Sequence, residues 1–441
     1  MTVLYLPVEV KKREYKSRLA VGLACLQEEI NGVCIGRDQE IIKRALHAPG
    51  VILLKSAASF ESRLVGELKQ KGNIVLSLDE EGVLPPLNDP SVNTRFSSKL
   101  LEMLDRIFIN GPLELKAMPE EFRNSPKLVY TGNPRFDFYK SNTSSLYKDS
   151  IAKINELVAG KKIILIVSRF GDVNPAKGLD YLKLLNDNGY IDDEESEKFF
   201  YGFYDHSKLI FDALLDVPKI LSENLDDHIV VIRPHPSEGH ELWQELTSSM
   251  ENVIVNSDFE IASWLHACEV MIHNGCTTAI EATAIGKPVI SFVPVENDTF
   301  DLIYANNIGV KVKNTSEVIN LLAGDISLFD NHQRISRLNE VVFFSDEEYS
   351  FNLIAKEILE LAKSNSKGTA IDDKVSFDLK ELIRFYLHKL NLREYYHRTK
   401  FTSLSKKEIY EQIQELKELF DFESVSVKKV GIDSYLLTKV K

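Results

Sequence analysis

No long hydrophobic run occurs in this chain of 441 residues, and none approaches the roughly 18 apolar residues of a membrane-spanning helix. Cysteine is scarce, and the four copies have neither metal-ligand spacing nor the density of a disulfide scaffold, which favours a reducing cytoplasm. Positive charge is in deficit, because 53 Lys and Arg stand against 66 Asp and Glu, for a net charge of −13. A duplex-binding protein usually carries a basic face, so we expect no nucleic-acid partner.

Two nucleotide-binding fingerprints are also missing. The sequence contains neither a Walker loop nor a Gly-x-Gly-x-x-Gly pattern after a strand, which disfavours P-loop phosphoryl transfer and nicotinamide chemistry. No His, Cys, Asp or Glu cluster stands out as a metal site, so we expect neither a metal nor a cofactor.

The first third of the chain alternates short apolar runs with stretches of helical periodicity, which predicts a mostly parallel sheet with helices on both faces. Helices are predicted at Tyr15–Gln27 and Asp38–Leu46, and Ser141–Ser150 is polar enough for a linker. The predicted strands are Val3–Leu6, Gly32–Ile35, Gly50–Leu54, Ile74–Leu78, Arg106–Asn110 and Leu128–Thr131.

A second alternating series follows, and it predicts another Rossmann-like unit. Its predicted strands are Lys162–Ser168, His228–Arg233, Val253–Val255, Val270–His273, Pro288–Val293 and Val310–Val312. Its predicted helices are Ser207–Asn224, Glu238–Ser248, Asp258–Cys268, Thr277–Ala284 and Glu317–Ala323. A helix at Asp346–Ala362, then two more helices and a strand-like tail at Ser424–Val430 and Ser434–Lys439, complete the prediction.

Two Rossmann-like halves describe the GT-B architecture, in which the active site lies in the cleft between the domains. We therefore predict an α/β fold with an acceptor domain at 1–150, a nucleotide-sugar domain at 151–345, and a C-terminal segment at 346–441 whose helices cross back and carry a small extension. The same layout serves sugar-nucleotide epimerases and glycogen phosphorylase, so layout alone does not fix a function.

Two strand ends of the second half suit a phosphate, because ligands of open α/β sheets bind beyond the carboxyl ends of strands. Arg233-Pro-His235-Pro236 is stiff, since proline fixes φ, and it could hold Arg233 and His235 against a departing phosphate. The alternative is a rigid turn with a structural histidine.

The other strand end is His273-Asn-Gly-Cys-Thr-Thr278. Gly275 allows a tight turn beside Asn274, and Thr277 or Thr278 could cap a helix whose first N–H groups attract phosphate oxygens. Glu281, one turn further on, could accept bonds from ribose hydroxyls. Capping alone is the competing interpretation.

Two further loops could contact donor or acceptor. Ser168, Arg169 and Asn174 follow the first strand of the second half, with plain loop chemistry as the alternative. In Thr131-Gly-Asn-Pro-Arg-Phe-Asp137, Gly132 and Pro134 force a turn. Asn133 is a candidate substrate contact, and Arg135 either pairs with Asp137 or holds an anion.

Asp79-Glu80-Glu81 crowds three carboxylates at a strand end, which raises at least one pKa and suits a base that takes a proton from a sugar hydroxyl. A solvated loop and a divalent-ion site are the alternatives. Basic residues cluster at Lys11–Arg18 and at Arg384–Lys407, either as solvated faces or as contacts to an anionic substrate or the inner membrane.

Together these motifs resemble a family group. Glu80-Glu81-Gly82, His235-Pro236 and Thr277-Thr278 resemble the three motifs of bacterial sialyltransferases and polysialyltransferases, and of capsule-type transferases of Kdo and related ulosonic acids. Over residues 1–310 the chain also resembles bacterial surface carbohydrate biosynthesis proteins. The residues that carry this likeness are the opening Leu4–Arg18 stretch, Leu78-Asp-Glu-Glu-Gly82 and Thr131–Asp137.

The resemblance implies a GT-B enzyme that moves an eight- or nine-carbon keto-acid sugar from CMP to a surface polysaccharide or a lipid-linked glycan. Glu81 would be the general base, with Asp79 and Glu80 as alternatives, and a nucleophilic role stays open. His235 would bind or protonate the phosphate, and Thr277 and Thr278 would hold it. The competing functions are a UDP-sugar 2-epimerase, a CDP-polyol phosphate transferase and a non-catalytic nucleotide-sugar-binding scaffold.

Overall fold

The computed structural model describes residues 2–28, 30–56, 58, 61–80, 96–176, 180–324, 333–364, 401 and 403–440. Their backbone contacts divide the chain into two compact units, with divisions between Phe138 and Tyr139 and between Val341 and Val342. The sequence predicts boundaries after residues 150 and 345 instead. In the structure the C-terminal segment belongs to the same compact unit as the N-terminal strands.

The first unit is built on one sheet. Its strands are β1 (Val3–Val8), β2 (Gly32–Arg37), β3 (Val51–Leu54), β4 (Ile74–Leu78), β5 (Arg106–Ile109), β6 (Leu128–Tyr130), and from the C-terminal segment β13 (Val425–Lys429) and β14 (Ser434–Lys439). Their order is β13-β14-β2-β1-β3-β4-β5-β6. The pairs among β1–β6 are parallel, whereas β14 runs antiparallel to β2 and β13 antiparallel to β14.

Continuous apolar runs explain these strands. All residues of β1, β3 and β4 are buried, as expected when helices cover both faces of a parallel sheet. The helices of this unit are α1 (Lys11–Gln27), α2 (Asp38–His47), α3 (Ser62–Gln70), α4 (Ser98–Met103), α5 (Pro112–Ala117), and from the C-terminal segment α16 (Ser350–Ser364) and α17 (Lys406–Phe420).

The C-terminal segment is anchored to the first unit by packing and by hydrogen bonds. Helix α16 packs on α1. Asp137 accepts the backbone N–H of Ser350 and of Phe351, each at 3.0 Å. Asp433 accepts from the guanidinium of Arg37 at 2.6 Å, so the returning strands are tied to the start of the chain.

The second unit contains a six-stranded, fully parallel sheet. Its strands are β7 (Lys162–Val167), β8 (His228–Arg233), β9 (Val253–Val255), β10 (Val270–His273), β11 (Val289–Phe292) and β12 (Val310–Val312), in the order β12-β11-β10-β7-β8-β9. Its helices are α6 (Lys148–Leu157), α7 (Tyr181–Asp187), α8 (Glu194–Leu214), α9 (Asp216–Asn224), α10 (Glu241–Thr247), α11 (Ile261–Ala267), α12 (Thr278–Ile285), α13 (Ile303–Ile308), α14 (Thr315–Ala323) and α15 (Arg334–Asn339).

The predicted α/β fold class is confirmed, with corrections in detail. The expected linker at Ser141–Ser150 is a 3-10 segment followed by the start of α6, and its Thr143 is fully buried. The helix predicted at Ser207–Asn224 is the end of one helix, α8, followed by a second, α9. The strand-like tail is a hairpin that extends the first sheet. One of the two helices predicted within residues 375–441 is α17, and residues 365–400 lie outside the described part.

Candidate functional site at the carboxyl edge of the second sheet

The last residues of three neighbouring strands lie level with one another. Val167 of β7 is the register partner of Arg233 of β8 on one side and of His273 of β10 on the other. From β7 the chain proceeds to β8 and β9 on one side, and then returns to place β10 on the other side. The point between β7 and β10 is therefore a topological switch point, where open α/β sheets bind ligands.

The loops after β7 and β10 are joined across this switch point. Arg169 donates from Nε to the carbonyl oxygen of Asn274 at 3.0 Å and from Nη2 to Asn274 Oδ1 at 3.2 Å. Asn274 is buried, and its Nδ2 donates to the Phe292 carbonyl at 2.8 Å. Two residues predicted separately as substrate and nucleotide contacts are thus neighbours that support each other.

Gly275 meets two constraints at once. Its φ of +54° lies in the left-handed region, and a Cβ at this position would lie 2.8 Å from Arg169 Nε. Its backbone N–H donates to Asn306 Oδ1 at 2.7 Å. The tight turn predicted at this glycine is present, and it allows the close approach of Arg169.

His273 stabilises the same loop from inside. Its Nδ1 accepts the N–H of Cys276 at 3.2 Å, and its Nε2 lies 3.0 Å from Ser291 Oγ. The side chain is fully buried, and this burial lowers the pKa of His273 to about 3. A neutral histidine therefore fixes the loop, a role that the sequence motif did not reveal.

The start of α12 offers fewer free N–H groups than predicted. Thr277 occupies the N-cap position and is exposed, but its side chain makes no capping hydrogen bond. Within the described residues, Ala279 and Ile280 donate to carbonyls of Cys276 and Thr277 at 3.1 and 3.0 Å. Glu281 is mostly buried along this helix.

The loop after β8 presents a histidine at the surface of its unit. Arg233 donates to the carbonyl oxygens of Asp258 and Phe259, at 3.0 Å each. His235 and Pro236 are exposed. The Nδ1 of His235 lies 2.7 Å from Ser237 Oγ, and partial desolvation lowers the pKa of His235. Arg233 therefore supports the loop, and His235 remains accessible to a ligand.

Glu238 joins the loops after β7 and β8, and it was not among the predicted site residues. Its Oε1 accepts from Ser168 Oγ at 2.8 Å and from Trp243 Nε1 at 2.7 Å. Its Oε2 accepts the N–H of Phe170 at 3.1 Å, and burial raises its pKa. Ser168 thus binds a buried carboxylate. Asn174 likewise donates to the carbonyl of Gly239, at 2.8 Å.

In the first unit, the acidic motif follows β4. Glu80 is buried and accepts from Arg18 Nε at 2.8 Å, while Arg18 also donates to the carbonyls of Leu53 and Leu54. Burial raises the pKa of Glu80, and the charge of Arg18 opposes this shift. Asp79 is also buried. Glu81 lies outside the described residues.

The loops after β5 and β6 lie beside this motif. Asn110 and Asn133 donate from Nδ2 to the carbonyl oxygen of Asp79, at 2.7 and 3.4 Å. Asn133 Oδ1 accepts the N–H of Arg135 at 2.9 Å. The positive charge of Arg135, like that of Arg18, opposes the rise in the pKa of Glu80. Of the predicted residues of this unit, Asn133 therefore contacts both Asp79 and Arg135.

The basic cluster at Lys11–Arg18 faces carboxylates within its own unit. Lys11 Nζ lies 2.6 Å from Glu408 Oε1, and Lys16 Nζ lies 3.6 Å from Glu415 Oε2, both on α17. Arg18 is buried against Glu80. Much of this charge is therefore compensated internally. Of the second basic cluster, Arg384–Lys407, most lies outside the described residues.

Among the described residues no group of three or more His, Cys, Asp or Glu side chains is arranged to hold a metal ion. In the same part of the chain, every helix is too short or too polar to cross a bilayer.

Comparisons with known proteins agree with this architecture. Residues 203–349 match the model of a family described as a protein of unknown function, DUF354. No curated protein matches the chain. A UDP-GlcNAc 2-epimerase from Neisseria meningitidis, solved with UDP-GlcNAc, has 16% identity and a TM-score of 0.52, over 82% of this chain and 100% of its own.

Two other solved structures are similar. A Listeria monocytogenes structure, assigned as a UDP-N-acetylglucosamine 2-epimerase, has 14% identity and a TM-score of 0.51, over 83% of this chain and 96% of its own. The wall teichoic acid polymerase TagF has 11% identity and a TM-score of 0.46, over 83% of this chain and 90% of its own. Because this TM-score is below 0.5, the fold assignment does not depend on it. The two epimerase structures establish the fold: the protein has a GT-B-like architecture of two Rossmann-like units.

Proposed function

We propose that this protein is a glycosyltransferase that moves a sialic-acid-like or Kdo-like ulosonic acid from CMP to a surface polysaccharide or a lipid-linked glycan. The observation that carries the proposal is the convergence of three loops at the switch point of the second sheet. Arg169, His235 and Thr277 follow strands that end level with one another. Cationic, imidazole and hydroxyl groups together suit the phosphate of a nucleotide-linked sugar.

In this proposal the second unit stabilises the leaving nucleotide. His235 donates to a phosphate oxygen, and the guanidinium of Arg169 offsets the charge that develops as the glycosidic bond breaks. Thr277 and Thr278 add hydroxyl donors, and Glu281 accepts from the ribose. The internal bonds of Arg233, Ser168, Asn174 and Asn274 keep the loops rigid, which lowers the entropy cost of orienting the donor.

The first unit supplies the base. A carboxylate of Asp79, Glu80 or Glu81 removes the proton of the acceptor hydroxyl, and Asn133 and Arg135 hold the acceptor. Burial raises the pKa of Glu80, which is the direction that suits a general base, and the charge of Arg18 opposes this shift. Asn110, which was absent from the predicted set, orients the backbone of Asp79.

The proposed setting is the cytoplasmic side of the inner membrane, with the acceptor as partner. None of the four cysteines, all within the described residues, forms a disulfide bond, which fits a reducing compartment. The pairing of Lys11 and Lys16 with carboxylates of α17 weakens the case for a membrane contact through that cluster. No metal or further cofactor is part of the proposal.

The test is a donor panel with the full-length protein: CMP-linked ulosonic acids, UDP-N-acetylhexosamines and CDP-linked polyols, each with and without a glycan acceptor. We expect release of CMP that the acceptor stimulates. The variants His235→Ala, Glu80→Gln and Glu81→Gln test the assigned roles, and His47→Ala changes an exposed histidine at the end of α2 as a control. Turnover of UDP-sugars alone would reject the CMP donor, and full activity in all three variants would reject the site.

The second candidate is a UDP-sugar 2-epimerase. Of the two structures that establish the fold, the one from N. meningitidis is a UDP-GlcNAc 2-epimerase, and the one from L. monocytogenes has been assigned that activity. An epimerase would interconvert UDP-N-acetylhexosamines with no acceptor. A CDP-polyol phosphate transferase would consume only the CDP-linked donors. A non-catalytic scaffold would bind a nucleotide and turn over none of the panel.

A further inference from the structure

The imidazole of His235 is held through one of its two nitrogens. The backbone N–H of Ser237 donates to His235 Nδ1 at 3.2 Å, and Ser237 Oγ lies 2.7 Å from the same atom. A backbone N–H can only donate, so Nδ1 must present its lone pair. The neutral ring therefore carries its proton on Nε2, and the side chain is exposed.

Ser237 is itself held by the loop after β7. Its carbonyl oxygen accepts the N–H of Ala176 at 2.8 Å, and Glu238 N–H closes the turn onto the His235 carbonyl at 2.8 Å. Gly171 packs directly on Ser237. A Cβ on Gly171 would overlap Ser237 Oγ and approach Ser237 Cβ to 3.0 Å, so glycine is required here for space.

We propose that Ser237 and Gly171 are positioning residues that fix His235 as the Nε2-protonated tautomer, so that a neutral N–H donor meets a phosphate oxygen of the nucleotide-linked sugar. The inference rests on the proposed function and deepens it. To transfer a proton to the phosphate, His235 would first have to be an imidazolium, with protons on both nitrogens. The proton on Nδ1 would then face the Ser237 N–H, so this geometry favours hydrogen-bond donation by neutral His235 over proton transfer.

The primary experiment reads the tautomer without any substrate. The full-length protein, labelled with ¹⁵N at its histidines, is examined by long-range ¹H–¹⁵N NMR, and His235 is assigned by its loss in His235→Gln. We expect the Nε2-protonated form in the wild type. Its excess over the other tautomer should fall in Ser237→Ala, which loses the 2.7 Å hydroxyl contact and keeps only the 3.2 Å backbone contact, and in Gly171→Ala, whose methyl group would displace Ser237. Ser257→Ala is the matched control, because Ser257 lies 3.4 Å from a different histidine, His240.

A double variant separates positioning from general damage. In the Ser237→Ala background, Gly171→Ala should add less change than it causes alone, because the closest clash, with the hydroxyl, is gone and only the 3.0 Å contacts with Cβ and the carbonyl oxygen of residue 237 remain. Binding of CMP, measured by calorimetry, should weaken about tenfold in Ser237→Ala, since a charge-assisted hydrogen bond loses its orientation. Cytidine, which lacks the phosphate, should bind both proteins equally.

The inference is overturned if His235 is protonated on Nδ1 in the wild type, or if neither single variant changes the tautomer. It is also overturned if Ser237→Ala weakens CMP and cytidine alike. If the wild type binds no nucleotide, the proposed function is wrong. The tautomer measurement would still test whether Ser237 and Gly171 position His235.

Discussion

Arg18 and Glu80 form an ion pair 2.8 Å long, in which each side chain has only 1% of its surface exposed. The remaining guanidinium nitrogens donate to the carbonyls of Leu53 and Leu54, at the end of β3. Helix α1 is thereby fixed to the carboxyl edge of the first sheet. Burial raises the pKa of the Glu80 carboxyl, and the charge of Arg18 opposes this shift.

Breaking this pair should destabilise the first unit strongly. In Arg18→Met, Glu80 would remain buried without its partner, at a cost of about 3–5 kcal/mol. In the double variant Arg18→Met/Glu80→Leu, most of the lost free energy of unfolding should be regained, since neither charge remains. Hydrogen exchange of the β3 and β4 amides measures the effect. Equal loss of protection in the single and double variants would show that the pair is not the cause.

Gly275 and Gly286 allow a matched comparison, because both have positive φ and they flank the same helix, α12. In the described part of the chain, nothing beyond its chain neighbours lies within 4 Å of where a Cβ on Gly286 would be, so Gly286→Ala should cost about 1–2 kcal/mol for backbone strain alone. Gly275→Ala adds the contact with Arg169, and we expect a further ~1–3 kcal/mol from overpacking. Urea unfolding followed by tryptophan fluorescence reports on this unit, since both tryptophans, Trp243 and Trp264, lie in it.

The same comparison extends to ligand binding. Gly275→Ala should weaken CMP binding, because Arg169 must move away from Asn274. Gly286→Ala should leave binding unchanged, because that glycine lies at the other end of the helix. Equal effects of the two substitutions on stability and on binding would contradict the close packing of Arg169 on Gly275.

His273 should make the second unit sensitive to acid. Its pKa is about 3 when folded against 6.5 for an ordinary histidine, so the unfolded chain takes up the proton first and stability falls as pH decreases. Between these two values the loss from this group is about 1.4 kcal/mol per pH unit. His266, with a pKa lowered to about 4, adds to the wild-type slope, so the test is the difference between wild type and His273→Gln. If the free energy of unfolding falls equally with pH in the wild type and in His273→Gln from pH 7 to 4.5, His273 is not a source of the acid sensitivity.

Asp137 should control how firmly the C-terminal segment docks. Its two carboxylate oxygens accept the first N–H groups of α16, and the side chain is buried. Asp137→Asn converts one of these acceptors into a donor, which should cost about 1.5–3 kcal/mol. Hydrogen exchange across Ser350–Ser364 measures the loss. Ser345→Ala, which alters a turn just before the helix, is the control, and a comparable effect there would argue against a specific cap.

The fold could be predicted because strands that are buried on both faces appear in the sequence as continuous apolar runs. The runs at Val3–Val8, Lys162–Val167 and His228–Arg233 are apolar on both faces, as strands of a helix-covered parallel sheet must be. The hairpin β13–β14 was harder to interpret. A short amphipathic strand does not specify its partner, and β14 pairs with a strand about 400 residues earlier in the chain.

The candidate site residues were predicted loop by loop. Strand ends pointed to Arg169 in one loop and to Asn274 and Gly275 in another, and the structure joins the two loops; that these residues contact a ligand stays a prediction. The buried partners Glu238 and Arg18 could not be found, since a charged residue gives no local sign that it will be desolvated and paired.

The order of apolar and polar residues by itself determined two mostly parallel sheets and the edges at which their loops gather, because hydrophobic periodicity is a local property of the chain. Only the tertiary structure decided which side chains at those edges hold the loops and which remain accessible. Ser168 and His235 both follow strands, yet one binds a buried carboxylate and the other faces solvent. That difference arises from long-range packing, which determines the burial and the hydrogen-bond partner of each group.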